Sequence, residues 1–325
     1  HRDLHSFPTR RSSDLGQDRA ADLRGKIHAL LAGGDCSQAQ IARVSGLSAA
    51  ALSTWLKGAY KGDNSAVEEK LLKWLGARDR NARTSAAMPA APAWVDTPTG
   101  RRIHAVLMFA QAAGDLGCIY GGAGLGKTKA LLAYAAASPN VWVSTMSPAH
   151  GGVSSALEEI AEAIGLRGIP GRAARLQREL VNRLNNTGGL LIVDEAQHLN
   201  MRSLEAIRAI HDATGVGLVL CGNEAVFARL TGGSREATFA QLFSRLGKRL
   251  RLTKAAPGDV DAMADAFGVM GSAERRFLAG IASKPGALRG VVKTLRLASV
   301  FAAGKGESLT VDHLNAAWHD LAGEG

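Results

Sequence analysis

The sequence predicts an α/β fold: a parallel sheet whose strands alternate with helices, an all-α domain before it and a helical lid after it. Three observations predict this. A glycine-rich loop, G-G-A-G-L-G-K-T, occupies 121–128, between an apolar run at 117–120 and an Ala/Leu-rich helical stretch at 129–137. A second apolar run, L-L-I-V at 190–193, ends in Asp194 and Glu195. Apolar runs of strand length alternate with amphipathic helical patterns from 101 to 254, whereas 257–325 reads as helices only.

Composition bounds the rest. At 325 residues the chain has room for two or three domains, each with its own core. No apolar run approaches the roughly 20 residues of a membrane helix, and no secretory signal is present. Cys36, Cys118 and Cys221 are far apart and odd in number; they suit a reduced cytosol and form no metal-ligand pattern. The net charge of +10 and the pI near 9.8 suit a polyanionic partner.

In chain order, 1–17 has neither periodicity nor a cap ahead of an apolar face. Its first 15 residues read as a non-native, adapter-like fragment or a disordered basic tail, and we set them outside the fold. Residues 18–76 form a helical domain. Leu23, Ile27, Leu30 and Leu31 line a first helix that ends at Gly33-Gly34. The stretch 38–56, Q-A-Q-I-A-R-V-S-G-L-S-A-A-A-L-S-T-W-L, has the form of a helix-turn-helix. Ala42 is small where the helices touch, Gly46 supplies the turn, and Leu47, Leu52 and Trp55 pack the second helix. Ser48 is placed to cap that helix, whose exposed side would offer DNA Ala49, Ala50, Ser53, Thr54 and Lys57. None of these makes a bidentate base contact, so selectivity is expected to be weak. A closing helix carries Val67, Leu71, Leu72, Trp74 and Leu75. Residues 77–100, with Pro89, Pro92 and Pro98, read as a linker in which Trp94-Val95 is either a contact near the base of a bound nucleotide or a buried anchor.

The domain 101–254 holds the chemistry. Gly121, Gly126, Lys127 and Thr128 fit the phosphate-loop pattern G-x-x-x-x-G-K-[S/T]. Gly121, Gly122, Ala123, Gly124, Leu125 and Gly126 curl the backbone so that N–H groups face one phosphate chain, and the helix starting near Lys127 and Lys129 adds its dipole. Lys127 reaches the terminal phosphates of ATP, and the Thr128 hydroxyl helps to hold Mg²⁺. Asp194, delivered to the carboxyl end of a buried strand, completes the Mg²⁺ site through water. Glu195 is the candidate general base, and Asn223, after the strand G-L-V-L-C-G at 217–222, is a γ-phosphate sensor or a helix cap.

The order of these parts resembles AAA+ ATPases of the Mu B transposition-protein family. The resemblance rests on S-G-L-S at 45–48, G-D-N at 62–64, N-V-W at 140–142, I-V-D-E-A at 192–196, G-L-V-L at 217–220, T-G-G at 231–233, L-F-S-R at 242–245 and K-P-G-A-L-R at 284–289. It implies that Arg245, in a basic stretch at 243–254, is an arginine finger lent to a neighbouring subunit. It also implies that Arg289 is a sensor in a lid domain spanning 255–325. The expected activity is ATP hydrolysis, stimulated by DNA and by a DDE transposase, in a protein that forms a helical filament on target DNA. The setting that the resemblance implies is the cytoplasm of a bacterial host, with the gene on a phage or mobile element. Further candidate DNA contacts are Arg167, Arg172, Arg175 and Arg178, a basic run with no acid until Glu179, whose alternative is a solvated face. Two rival readings share the same core: a helicase loader or replication initiator, and a nucleotide-switched helix-turn-helix regulator.

Overall fold

The computed structural model describes residues 12–88, 91–168, 173–231 and 246–323. The chain divides into two compact units, His1–Ala87 and Met88–Gly325.

The first unit is helical. α1 (Ser12–Ala32), α2 (Gln38–Ser45), α3 (Ala49–Leu56) and α4 (Asn64–Ala87) enclose Leu23, Ile27, Ile41, Leu52, Trp55 and Leu71. Each short helix starts on a serine. The Ser37 hydroxyl accepts from Gln40 N–H at 3.2 Å, and the Ser48 hydroxyl accepts from Ala51 N–H at 3.1 Å. Gly46, at φ 70°, ends α2 in the left-handed conformation and turns the chain into α3. The last helix departs from the sequence reading: α4 runs on to Ala87, through 77–87, which had read as linker. That stretch is rich in Ala and Arg, good helix formers, and lacks proline until Pro89. Helix α1 likewise begins at Ser12, inside the segment set aside as non-native, while 1–11 lie outside the described residues.

The second unit opens with α5 (Pro98–Ala113), capped by Thr97, then β1 (Leu116–Gly121), α6 (Lys127–Ala137) and β2 (Val141–Thr145). Next come α7 (Val153–Ala163), α8 (Ala173–Leu184), β3 (Leu190–Asp194), α9 (Met201–Thr214), β4 (Gly217–Gly222), α10 (Glu224–Thr231) and β5 (Leu246–Leu252). All strand pairs are parallel, in the order β2-β3-β4-β1-β5. Both faces of the sheet are covered. Leu191 and Val193 face the cluster that includes Leu157, Leu180 and Ile207; Leu190 and Ile192 face Ile103, Leu107 and Leu131. Hence β1, β3 and β4 are apolar runs without alternation. Because β1 lies between β4 and β5 while the chain leaves it for β2, the order reverses beside β1, and the ends of β1, β3 and β4 open on one crevice.

The lid consists of α11 (Asp259–Ala266), α12 (Ser272–Ala282), α13 (Ala287–Lys305) and α14 (Val311–Ala322), packed around Leu278, Val291, Leu295 and Leu314. Trp94 and Val95 straddle the two cores: Trp94 packs on the sheet-side cluster and Val95 on the lid cluster. The Trp94 ring stacks on His104 with centroids 5.0 Å apart, which makes it an anchor on α5. A buried carboxylate fastens the lid to the same helix. Asp259, fully buried, accepts from Thr99 N–H at 2.8 Å, from the Thr99 hydroxyl at 2.5 Å and from Ala256 N–H at 2.6 Å.

Candidate functional site

The loop between β1 and α6 takes its shape from glycines. Gly121 sits at φ 137°, and a side-chain carbon there would lie 1.9 Å from the Leu252 carbonyl oxygen of β5. Gly124, at φ 81°, passes so close to the lid that a side-chain carbon would meet the Gly286 carbonyl oxygen at 2.0 Å. The lid completes this contact: Arg289 N–H donates to the Gly124 carbonyl at 3.2 Å. Helix α6 starts at Gly126 with no side-chain cap, so its first N–H groups find no acceptor from a capping side chain. Lys127 Nζ lies over the loop and donates to the carbonyls of Gly121 (3.0 Å) and Gly122 (2.7 Å). Leu125 is buried beneath the loop, while Gly122, Ala123, Thr128 and Lys129 are exposed.

The loop meets the end of β3. The Thr128 hydroxyl donates to Asp194 Oδ2 at 2.7 Å, and Asp194 Oδ1 accepts from the Glu195 N–H at 2.9 Å. Asp194 is 1% exposed, so these bonds offset part of its desolvation. Cys221, from the neighbouring β4, sits against the same carboxylate. Burial first, and the Asp194 charge second, push its thiol well above the ordinary range. Burial likewise pushes the Cys118 thiol up to about 12. Neither cysteine is a thiolate at neutral pH.

Glu195 is half-buried in a left-handed conformation, φ 54° and ψ 35°, at the start of the 3₁₀ turn Ala196–His198. Its carboxylate is held by a residue that the sequence reading did not single out: Gln197 Nε2 donates to Glu195 Oε2. Gln197 Oε1 in turn accepts from the Asn223 N–H at 3.2 Å. The available signal was Gly222, a glycine at a strand end directly before a polar residue, which marks close approach. Asn223 is exposed, and its Oδ1 accepts from Ala225 N–H at 2.9 Å, the helix-cap arrangement.

The remaining candidates are scattered. Arg289 is exposed, at the start of α13 beside the loop. Arg245 and Arg172 lie outside the described residues. Arg167, Arg175 and Arg178 are exposed, the last two on α8. On α3, Ala49, Ala50 and Thr54 are exposed and Ser53 is half-buried, and Lys57, just past its end, is exposed. Ser48 uses its oxygen as a cap, and the Thr54 hydroxyl donates to Ala50 O at 2.8 Å. Among the described residues no helix is long and apolar enough to cross a membrane, and no cluster of three His, Cys, Asp or Glu side chains forms a metal cage.

Comparison with known proteins fits this geometry. Residues 111–230 match the AAA domain, an ATPase module, and 244–321 match the family described as Mu B transposition protein, C terminal. Among solved structures, Cdc6p of Pyrobaculum aerophilum shares the fold at a TM-score of 0.53 and 16% identity, over 72% of this chain and 69% of that one. The Drosophila ORC bound to DNA does so at 0.51 and 12%, over 74% and 65%. The "ATP-dependent target DNA activator B" of Escherichia phage Mu is 38% identical over 301 residues, which is 93% of this chain and 95% of that protein. The "Mu-like prophage FluMu DNA transposition protein B" of Haemophilus influenzae is 38% identical over 84% of this chain and 94% of that protein. At that identity over nearly the whole length, the chain belongs to the Mu B transposition-protein family.

Proposed function

We propose that this protein is an ATP-dependent activator of target DNA for a DDE transposase, with the loop at 121–128 and the ends of β3 and β4 as its ATPase site. The observation that carries the site is the 2.7 Å contact between Thr128 and Asp194, next to Glu195 and under a lysine-bearing loop. The Thr128 hydroxyl and the Asp194 carboxylate are hard oxygen donors in direct contact, so the residues fit Mg²⁺, which Thr128 would help to hold and Asp194 would hold through water. When bound, Mg²⁺ supplies charge neutralisation at the phosphates. The open N–H groups of α6 and Lys127 bind the phosphate chain and orient it. Glu195 accepts a proton from the attacking water. The water oxygen bonds to the γ-phosphorus as the bond to the bridging oxygen breaks, and the electron pair leaves with ADP. Asn223, just after β4, and Arg289, on the lid beside the loop, would sense the γ-phosphate. Arg245, supplied by the next subunit, would make assembly depend on nucleotide and contribute about 10³–10⁵ in rate.

The DNA side follows from charge. A net +10 chain with Arg167, Arg172 and Arg175 on one segment, and an α3 surface poor in base-reading groups, suits phosphate binding of low sequence specificity. ATP binding then favours a filament on DNA in the bacterial cytoplasm, and hydrolysis times its release. Electron microscopy of the full chain on long random-sequence duplex tests this. Filaments are expected with ATP and not with ADP, dissolving as salt rises; a lone footprint at one sequence without assembly would overturn the reading.

A further inference from the structure

Two separate segments close the end of the sheet beside the phosphate loop: the turn after β3, which carries Glu195, and the end of β4, which carries Asn223. One side chain spans them. The Gln197 amide gives its Nε2 hydrogen to Glu195 Oε2 and takes the Asn223 N–H on Oε1 at 3.2 Å. The chemistry of the partners fixes which way the amide points. A carboxylate oxygen only accepts and a backbone N–H only donates, so the opposite orientation of the amide would break both bonds. The chain also clears space for it: a side-chain carbon on Gly222 would lie 2.2 Å from Gln197 Oε1.

Glu195 needs such a partner. Its backbone is fixed by the left-handed turn and by the bond from its N–H to Asp194, but its side chain has three rotatable bonds beyond that. Ordering a side chain of this length costs conformational entropy, which a fixed hydrogen-bond partner offsets. A base that abstracts a proton must already be within hydrogen-bond reach of the water.

We infer that Gln197 is a positioning residue for ATP hydrolysis. It occupies one oxygen of Glu195, leaves the other to receive the proton of the attacking water, and ties the carboxylate to the backbone at the end of β4. The base and the Asn223 segment then move together. This rests on Glu195 being the general base, and the test separates the two claims.

Turnover with duplex DNA, KM for ATP, equilibrium affinity for a fluorescent ATP analogue and thermal midpoint are measured on the full chain. The variants are Gln197→Ala, Gln197→Glu, Glu195→Gln, and Glu195→Gln combined with Gln197→Ala. Gln197→Ala is expected to lower kcat about tenfold to a hundredfold, the scale of a misplaced catalytic group. Nucleotide affinity and KM should stay within about twofold, since the amide lies on the base and not on the phosphate loop. Gln197→Glu keeps the side-chain size but sets carboxylate against carboxylate. It should lose at least as much at pH 8 and recover part of the loss toward acid pH, where protonation restores a donor. A structural role would show the same acid-side recovery in the thermal midpoint, whereas a positioning role shows it in kcat with the midpoint unchanged. In the Glu195→Gln background, Gln197→Ala should change the residual rate by less than about twofold. An unchanged kcat in Gln197→Ala, with turnover lost in Glu195→Gln, overturns the inference and leaves the base in place. Full turnover in Glu195→Gln removes the base and the inference with it. Matching losses of midpoint and nucleotide affinity in both Gln197 variants also overturn it, as a purely structural effect.

Discussion

Helices α3 and α6 each begin just after a left-handed glycine, and their first turns are built in opposite ways. Helix α3 follows Gly46 by a short turn, and the Ser48 hydroxyl caps it on Ala51 N–H. Helix α6 follows Gly126 directly, and no side chain caps it. The first helix end satisfies itself and then displays alanines; the second leaves its N–H groups open and surrounds them with Lys127, Thr128 and Asp194. A spent helix end offers an anion little, whereas an open one beside a cation is a phosphate site. The unit carrying α3 thus puts its chemistry into folding, and the unit carrying α6 holds back polar groups for a ligand.

The comparison breaks most visibly if the two units are not separable. Trp55 is fully buried, with the Arg24 guanidinium 4.9 Å above its ring and Arg24 Nε donating to its carbonyl at 3.0 Å. Trp55→Ala should destabilise the helical unit by about 3–5 kcal/mol, read by chemical denaturation, while affinity for a fluorescent ATP analogue stays unchanged. Coupled loss of both would refute the division. Next in size, Lys127→Ala removes the cation but leaves the open helix end. Nucleotide affinity should fall about a hundredfold, roughly 3 kcal/mol, with ATP-dependent filaments lost. Retained binding in a titration would mean that the backbone alone suffices.

The thiols sharpen the same contrast. Cys118 on β1 is raised to about 12 by burial. A raised folded pKa stabilises the protein below the unfolded value, near 8.5–9, and that contribution is lost as pH rises toward 12. Denaturation at pH 10 should therefore give a stability about 1–2 kcal/mol below that at pH 8. A thiol reagent at pH 8 should label the half-buried Cys36 well before Cys118 or Cys221. The smallest effect is Ser48→Ala, expected to cost about 1 kcal/mol in the helical unit. It should leave ATP turnover unaltered, and a calorimetric midpoint with a parallel ATPase assay checks both.

Local patterns were the legible part of the sequence. Strand β2 falls on the five residues its apolar run marks, and α8 on the twelve its period marks, because each pattern is written in adjacent residues. The phosphate loop and the Asp194–Glu195 pair are legible for the same reason. Helix α4 was misread beyond Gly76 because that stretch has helix propensity without large apolar side chains, so it leaves no periodic signal. Gln197 and Asp259 were invisible for a different reason. Each acts on a partner brought near only by the fold: Asn223 lies across a strand crossover, and Thr99 is 160 positions from Asp259. Asn223, which the sequence offers as a sensor or a helix cap, gives its side-chain oxygen to α10 as a cap.

The buried Asp259 contact has a mechanical meaning when taken with the one at Gly124. The lid is fastened to the nucleotide domain at Thr99, through a carboxylate, and again at Gly124, through the Arg289 N–H. A rigid body pinned at two points keeps one rotation, about the line between the pins. Of the two, the Asp259 pin is buried and joins Thr99 through two hydrogen bonds, while the Gly124 pin is one backbone bond on the phosphate loop. The heavier tie thus lies away from the phosphate loop, at Thr99, and the lighter one lies on the loop itself.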